Sequence, residues 1–145
     1  MSEIGFYHLT RTGVEQALPQ LLDRTLAAGQ RAVVRCAAGR VAALDAALWE
    51  SADFLPHGSA AAGDAEWQPI WLTEREENPN GAAFLFLLDG LAAEDLSAWA
   101  RVFDLFDGND AAAVEAARAR WRAAREAGHA LTYWQQTPEG WRKGG

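Results

Sequence analysis

The first fifty residues alternate between short apolar runs and longer amphipathic segments. IGFYHL (4–9) and RAVVRC (31–36) have the length and apolar content of buried strands. Residues 14–28 and 41–49 have the apolar spacing of helices, although Pro19 inside the first is tolerated only near the first turn. Parallel strands need a crossover connection, which is usually a helix. The alternation of strand, helix, strand and helix therefore predicts an α/β fold.

The rest of the chain continues the pattern less regularly. We predict further strands at 69–73, 82–89, 102–106 and 129–136, a short helix just before 102, and a helix at 111–127 capped by Asp110. Residues 51–67 read as an exposed loop, and the basic residues that follow TPEGW read as a frayed end. We find no internal repeat and no long linker in the 145 residues, so we expect one domain over 1–145.

The charge of −7 is distributed unevenly. Residues 116–145 hold six basic and two acidic residues, a balance of +4, whereas residues 1–115 hold seven arginines and eighteen acids, a balance of −11. An acidic body disfavours bulk DNA binding and favours a compact anionic partner for the basic end. A lone cysteine, no secretory signal and no apolar run of about 20 residues predict a cytoplasmic protein that does not cross a membrane.

Searches for catalytic, cofactor and metal motifs favour a non-enzymatic protein. No glycine-rich phosphate loop follows either early strand, and DLFDGND (104–110) does not fit a calcium loop. Cys36 ends a buried strand, and a structural thiol is commoner there than a reactive one. His57 in FLPHG suits an active site or, more commonly, loop packing. We therefore predict no catalytic residues, no cofactor and no metal.

AARARWRAAREAG (116–128) places four arginines around one tryptophan. On a helix, Arg118, Arg122 and Arg125 share a face, while Arg120 points away from it. The adjoining apolar stripe comprises Val114, Ala117, Trp121 and Ala124. One interpretation makes the stripe core and the arginines its solvated flank. The other makes the Trp121 ring a pocket wall, beside arginines whose planar forks suit a carboxylate.

Six motifs in order resemble the chi subunit family of bacterial DNA polymerase III. They are FYHL (6–9), A-x-G-x-R-x-x-V (27–34), LDAALW (44–49), FLPHG (54–58), RVFDLFDGND (101–110) and A-R-x-R-W-x-x-x-R-x-A-G (117–128). The resemblance implies a Rossmann-like, three-layer domain with a mainly parallel central sheet and no nucleotide-binding loop. It also implies a non-catalytic accessory subunit of the clamp-loader assembly that works in DNA replication.

The same resemblance implies partners and a site. The ligand would be the acidic C-terminal tail of the single-stranded DNA-binding protein, which ends in Pro-Phe with a free carboxylate. A psi subunit, where the organism has one, would bridge to the clamp loader, and DNA would be contacted indirectly. The implied tail-binding residues are Arg118, Trp121, Arg122, Trp49, Phe54 and Val114, the last standing where some relatives have a basic residue. Direct binding of single-stranded DNA and a small α/β enzyme are the alternatives.

Overall fold

The computed structural model describes residues 2–51, 55–60 and 63–144, and eight strands from these residues form one sheet. The strands are β1 (Glu3–Leu9), β2 (Ala32–Arg35), β3 (His57–Ser59), β4 (Ile70–Thr73), β5 (Phe84–Leu87), β6 (Arg101–Asp107), β7 (Ala130–Thr137) and β8 (Gly140–Gly144). Their order across the sheet is β3-β4-β2-β5-β6-β1-β7-β8. Every neighbouring pair is parallel except β7 and β8, which confirms the predicted mainly parallel sheet.

Three α-helices in the described part of the chain cover the sheet on both faces. They are α1 (Val14–Ala27), α2 (Val41–Glu50) and α3 (Ala111–Glu126). The first two bury leucines in one apolar cluster, including Leu18 and Leu44, and α3 buries Ala117 in a second cluster. The predicted α/β fold with three layers is therefore confirmed.

Alternation along β1 shows how one strand serves both clusters. Ile4 and Phe6 face α3, whereas Tyr7 and Leu9 face α1 and α2. Successive side chains of a strand point to opposite faces, so a central parallel strand must be apolar on both. β1 lies between β6 and β7 and is therefore apolar almost throughout.

Three expectations about local structure need correction. The basic end is β8 rather than a frayed segment, because it pairs with β7 after a turn. The segment 51–67 contains β3 and a 3₁₀ turn at 65–67 instead of being loop throughout. Pro19 stands in the second turn of α1, where it is buried. Burial of its ring offsets the backbone hydrogen bond that proline cannot donate.

None of the helices among the described residues is long and apolar enough to span a lipid bilayer.

A substitution of Trp141 tests whether β8 packs as part of the sheet. Its ring meets the buried Tyr7 ring edge-on, with centroids 5.1 Å apart. We expect Trp141→Ala to lower the free energy of unfolding by about 1–3 kcal/mol, less than for a fully buried aromatic because Trp141 is partly exposed. Chemical denaturation would measure this change.

Trp67 is the matched control, because its side chain is 72% exposed. Trp67→Ala should stay within about 0.5 kcal/mol of the parent. Equal stability of the two variants would contradict the docking of β8.

Candidate functional site

The basic helix predicted from the sequence is α3, and local chemistry explains its bounds. The Asp110 carboxylate accepts hydrogen bonds from the backbone N–H groups of Ala112 (3.0 Å) and Ala113 (3.4 Å), which caps the first turn. The helix is rich in alanine and arginine, which have high helix propensity. Gly128, with a φ of +89°, follows its end. Small residues let α3 lie close against the sheet.

A buried ion pair joins α3 to β6. Arg120 donates from Nε to Asp104 Oδ2 at 2.7 Å and from Nη2 to Asp104 Oδ1 at 3.0 Å. The two side chains are only 15% and 4% exposed. Burial raises the pKa of Asp104 above its ordinary value, and the hydrogen bonds and charge of Arg120 lower it. Arg120 does point away from the other arginines, and it points inward to a carboxylate.

A cavity of about 250 Å³ lies between α3 and the sheet, on the side of the helix away from Arg120. We call it the α3 cavity; its lining residues are Phe6, His8, Phe106, Val114, Ala117, Arg118, Trp121 and Tyr133. The Trp121 ring meets the Phe6 ring edge-on at 5.2 Å, so Trp121 is both packed against the core and a wall of the cavity. The two interpretations of the apolar stripe are therefore compatible.

The floor of the α3 cavity is formed by aromatic side chains, two of which carry polar atoms. The His8 ring stacks on Phe106 with centroids 4.9 Å apart, and its Nδ1 is hydrogen-bonded to the Tyr133 hydroxyl. Gly108 permits this packing, because a Cβ there would overlap the His8 ring and lie 2.8 Å from the Leu9 carbonyl oxygen. Burial raises the pKa of Tyr133, while the charges of Arg118 and Arg142 lower it. Two arginines thus act on the phenol at this floor.

Arg118 lies at the mouth of the α3 cavity in an exposed ion pair. Its Nη1 is 2.9 Å from Glu115 Oε1, and both side chains are about two-thirds exposed. Exposed pairs of this kind contribute about 0.2–1 kcal/mol, so Arg118 can exchange Glu115 for another anion at little cost. Arg122 and Arg125 are exposed further along the helix and form no ion pair with the described residues.

The structure brings together only part of the predicted site. Val114, Arg118 and Trp121 line one cavity, and Arg122 lies on the exposed side of the same helix. Trp49 does not line this cavity: it is the penultimate residue of α2, which packs on the other face of the sheet near β3 and β4. Its ring is 60% exposed and lies 4.5 Å from that of His57. Phe54 falls outside the described residues.

Four aromatic lining residues were missed by the sequence analysis. Phe6 and His8 lie two apart on β1 and so share a face. In the parallel register Phe6 is opposite Tyr133, and His8 is opposite Phe106. The alternation of residues within FYHL indicated that Phe6 and His8 share a face. The positions of Phe106 and Tyr133 beside them depend on strand order.

A larger cavity of about 970 Å³ lies at the carboxyl ends of β1 and β6, between the N-terminal ends of α1 and α3. This is where doubly wound folds bind nucleotides. In this chain the polar groups at the two helix ends already have partners within the protein. Asp110 caps α3, Gln16 accepts from the N–H of Gly13 before α1, and Arg40 is paired with Glu15 and Asp89. A phosphate would meet carboxylates at these helix ends.

The other candidate reactive groups are buried and partnered. Cys36 is fully buried, and burial raises the pKa of its thiol to about 11. His57 places Nε2 at 3.0 Å from Asp45 Oδ1 and Nδ1 at 2.6 Å from the Leu55 carbonyl oxygen. Across the described residues, no group of three or more His, Cys, Asp or Glu side chains is arranged to hold a metal ion.

Comparison with protein families agrees with the motifs. The family described as "DNA polymerase III chi subunit, HolC" matches residues 1–132 of the chain. The chain belongs to this family. No curated protein sequence matches it significantly. Membership in the chi family makes the protein an accessory subunit in DNA replication. The match includes α3, whereas Tyr133 and the whole of β8 lie beyond it.

The Arg120–Asp104 pair allows a prediction about the stability of the fold. Arg120→Ala leaves the Asp104 carboxylate buried without its partner, so we expect a loss of about 3–5 kcal/mol in the free energy of unfolding. Chemical denaturation would measure this loss. Arg122→Ala, two residues along the same helix, should change stability by less than about 0.5 kcal/mol. Matching unfolding curves for the two variants would contradict the buried pair.

Proposed function

We propose that the α3 cavity binds the acidic C-terminal tail of the single-stranded DNA-binding protein and so links it to the clamp-loader assembly. The observation that carries this proposal is the juxtaposition of Arg118 with an aromatic-walled cavity on one helix. Family membership supports the assignment to the polymerase III machinery.

The size and lining of the cavity suit a single aromatic side chain. Its volume of about 250 Å³ is below the roughly 300–1,000 Å³ typical of sites for drug-sized ligands. Five of its lining residues carry aromatic rings, namely Phe6, His8, Phe106, Trp121 and Tyr133. Aromatic rings pack favourably edge-to-face or offset. The terminal Phe of the tail would enter here.

The charges at the rim suit the rest of the tail. Arg118 can donate two parallel hydrogen bonds to the terminal carboxylate. Arg122 and Arg125 continue the positive charge along the exposed side of α3. The tail's acidic residues would approach this surface. Because Val114 is apolar where some relatives have a base, we expect weaker electrostatic attraction than in those relatives.

A second partner has a different surface available. Trp49 is a large, mostly exposed side chain on the face of the sheet opposite α3. Exposed tryptophans are enriched among the residues that dominate protein interfaces. We propose that the psi subunit, where present, contacts this face. Both partners could then be held at once.

Direct binding of single-stranded DNA is the competing function. Stacked aromatic residues with arginines are its usual basis. The −11 balance of the first 115 residues opposes a phosphate backbone over most of the surface. Contact with DNA through a partner protein fits this charge distribution better.

Arg118→Ala tests the proposed tail contact. Loss of a charge-assisted hydrogen bond should weaken binding of an acidic tail peptide by about 1.5–3 kcal/mol, or roughly 10- to 150-fold. Trp121→Ala should also weaken it, through lost contact with the Phe ring. Amidating the peptide's C-terminus should mimic Arg118→Ala, and the combined effect should be less than additive because both remove one pair. Isothermal titration calorimetry would measure these affinities.

Arg24→Ala is the control for this titration. Arg24 is an exposed helix arginine on the opposite face, so tail affinity should not change. Thermal melts would establish that each variant is folded. Wild-type affinity in Arg118→Ala would place the tail elsewhere.

Affinity for DNA tests the competing function. We expect a single-stranded oligonucleotide to bind with a Kd of about 10⁻⁴ M or weaker at physiological salt, as non-specific contacts do. Fluorescence anisotropy with a labelled oligonucleotide would measure it. Tight, salt-resistant binding in the absence of any partner would overturn tail binding as the main function.

A further inference from the structure

The last strand, β8, contacts one wall of the α3 cavity. Antiparallel pairing sets Gly144 of β8 opposite Tyr133 of β7, whose side chain lines that cavity. The Tyr133 ring lies across Gly144, where a Cβ would stand 2.3 Å from the ring carbon Cδ1. The Tyr133 hydroxyl is hydrogen-bonded to His8 Nδ1 at the floor of the cavity. This wall therefore depends on β1 at its hydroxyl end and on a residue without a side chain in β8.

Arg142 faces the same side of the sheet as Tyr133. Its Nη2 donates a hydrogen bond to Oε1 of Gln135 (3.3 Å), the residue paired with it on β7. Gln135 is two residues from Tyr133 and so shares its face. Trp141 points to the opposite face, where it packs against the apolar cluster under α1 and α2. Alternation along β8 therefore puts Arg142 on the α3 side and Lys143 on the α1 side.

The guanidinium group of Arg142 is available to a ligand. Its side chain is exposed and forms no ion pair with the described residues, and Gln135 offers it only a neutral amide. Burial raises the pKa of Tyr133, and the charges of Arg118 and Arg142 both lower it, which agrees with the position that the strand register gives Arg142. Positive groups from α3 and from β8 thus lie on the face that contains the α3 cavity.

We propose that β8 completes the tail site: Gly144 positions the Tyr133 wall of the α3 cavity, and Arg142 binds an acidic residue of the tail upstream of its terminal Phe. This inference rests on the proposed function of the α3 cavity. Val114 lines the cavity without a charge where some relatives have a base, so Arg142 offsets part of the attraction that α3 does not supply. The family match ends at residue 132, so β8 lies outside what family membership implies.

Charge favours an acidic peptide over a second copy of the chain beside β8. Edge strands can pair with the edge strands of other molecules. Two copies of β8 would bring the basic residues Arg142 and Lys143 of both chains close together, and like charges on paired strands are destabilising. An acidic peptide meets opposite charge on this strand. It is repelled by the −11 balance of residues 1–115 over much of the remaining surface.

Isothermal titration calorimetry with matched variants and matched peptides tests the charge contact. One probe is a synthetic acidic tail peptide that ends in Pro-Phe, and the other is the same peptide with its acidic side chains replaced by amides. Arg142→Gln should weaken binding of the acidic peptide roughly 2- to 5-fold, as loss of an exposed ion pair does, and leave binding of the amide peptide unchanged. Higher salt should reduce this difference, because exposed charges are screened.

Lys143→Gln is the matched control for the charge contact. It removes the same charge from the neighbouring residue of β8, which faces the other side of the sheet. Both peptides should bind to this variant as they bind to the parent.

Gly144→Ala tests the packing of the Tyr133 wall separately from charge. The added Cβ would push the ring away from β8 and into the space that the terminal Phe would occupy, while the hydroxyl is held by His8. The acidic and the amide peptides should therefore both bind more weakly, by a similar factor. Thermal melts would establish that each variant is folded.

The outcomes distinguish this inference from the proposed function. Should Arg118→Ala weaken binding of the acidic peptide while Arg142→Gln binds it like Lys143→Gln, the charge contact is overturned and the α3 site stands. An equal loss for both peptides in Arg142→Gln would also overturn the contact. Unchanged binding in folded Gly144→Ala would overturn the role of Gly144. If the parent does not bind the acidic peptide, or Arg118→Ala binds it like the parent, the proposed function fails and this inference with it.

Discussion

The bidentate pair between Arg120 and Asp104 is the contact on which the geometry of α3 depends. The helix meets the sheet largely through alanines, which are small and alike and therefore fix rotation about the helix axis poorly. A planar guanidinium gripping one carboxylate fixes that rotation. Residues advance by about 100° around a helix, so Arg118 lies about 200° from Arg120 and must face outward. The inward arginine thus determines where the outward one stands.

The physical cost of this pair indicates what it contributes. Burial raises the pKa of Asp104 even though Arg120 lies against it, so removing the carboxylate from water is expensive. Apolar residues of similar volume often match or exceed the stability of a buried ion pair. An apolar replacement here would leave the helix rotation to the alanine stripe. We therefore interpret the pair as a device that specifies orientation, and the α3 cavity depends on that orientation.

The features that could be predicted from the sequence were local. The features that could not be predicted depended on the order in which the strands pair. Strands and helices with clear periodicity, such as β1 and α3, follow from residue spacing alone. In β8, GWRKG has no strand pattern, and pairing with β7 forms it. The face on which Trp49 lies also depends on strand order, because crossovers between parallel strands are right-handed in nearly all cases. The chain moves in opposite directions along the sheet from β2 to β3 and from β6 to β7, which puts α2, with Trp49, and α3 on opposite faces.

The same sheet explains how a small chain can offer two separate surfaces. β1 contributes Phe6 and His8 to the α3 cavity and Tyr7 to the apolar cluster under α1 and α2, because neighbouring residues of a strand face opposite ways. The α3 cavity combines aromatic rings with Arg118, while residues 1–115 carry a charge balance of −11. An anionic partner is therefore repelled from most of the surface and attracted at confined places. Local positive charge in an acidic protein makes binding selective for ligands that are compact and carry their charge beside an aromatic group.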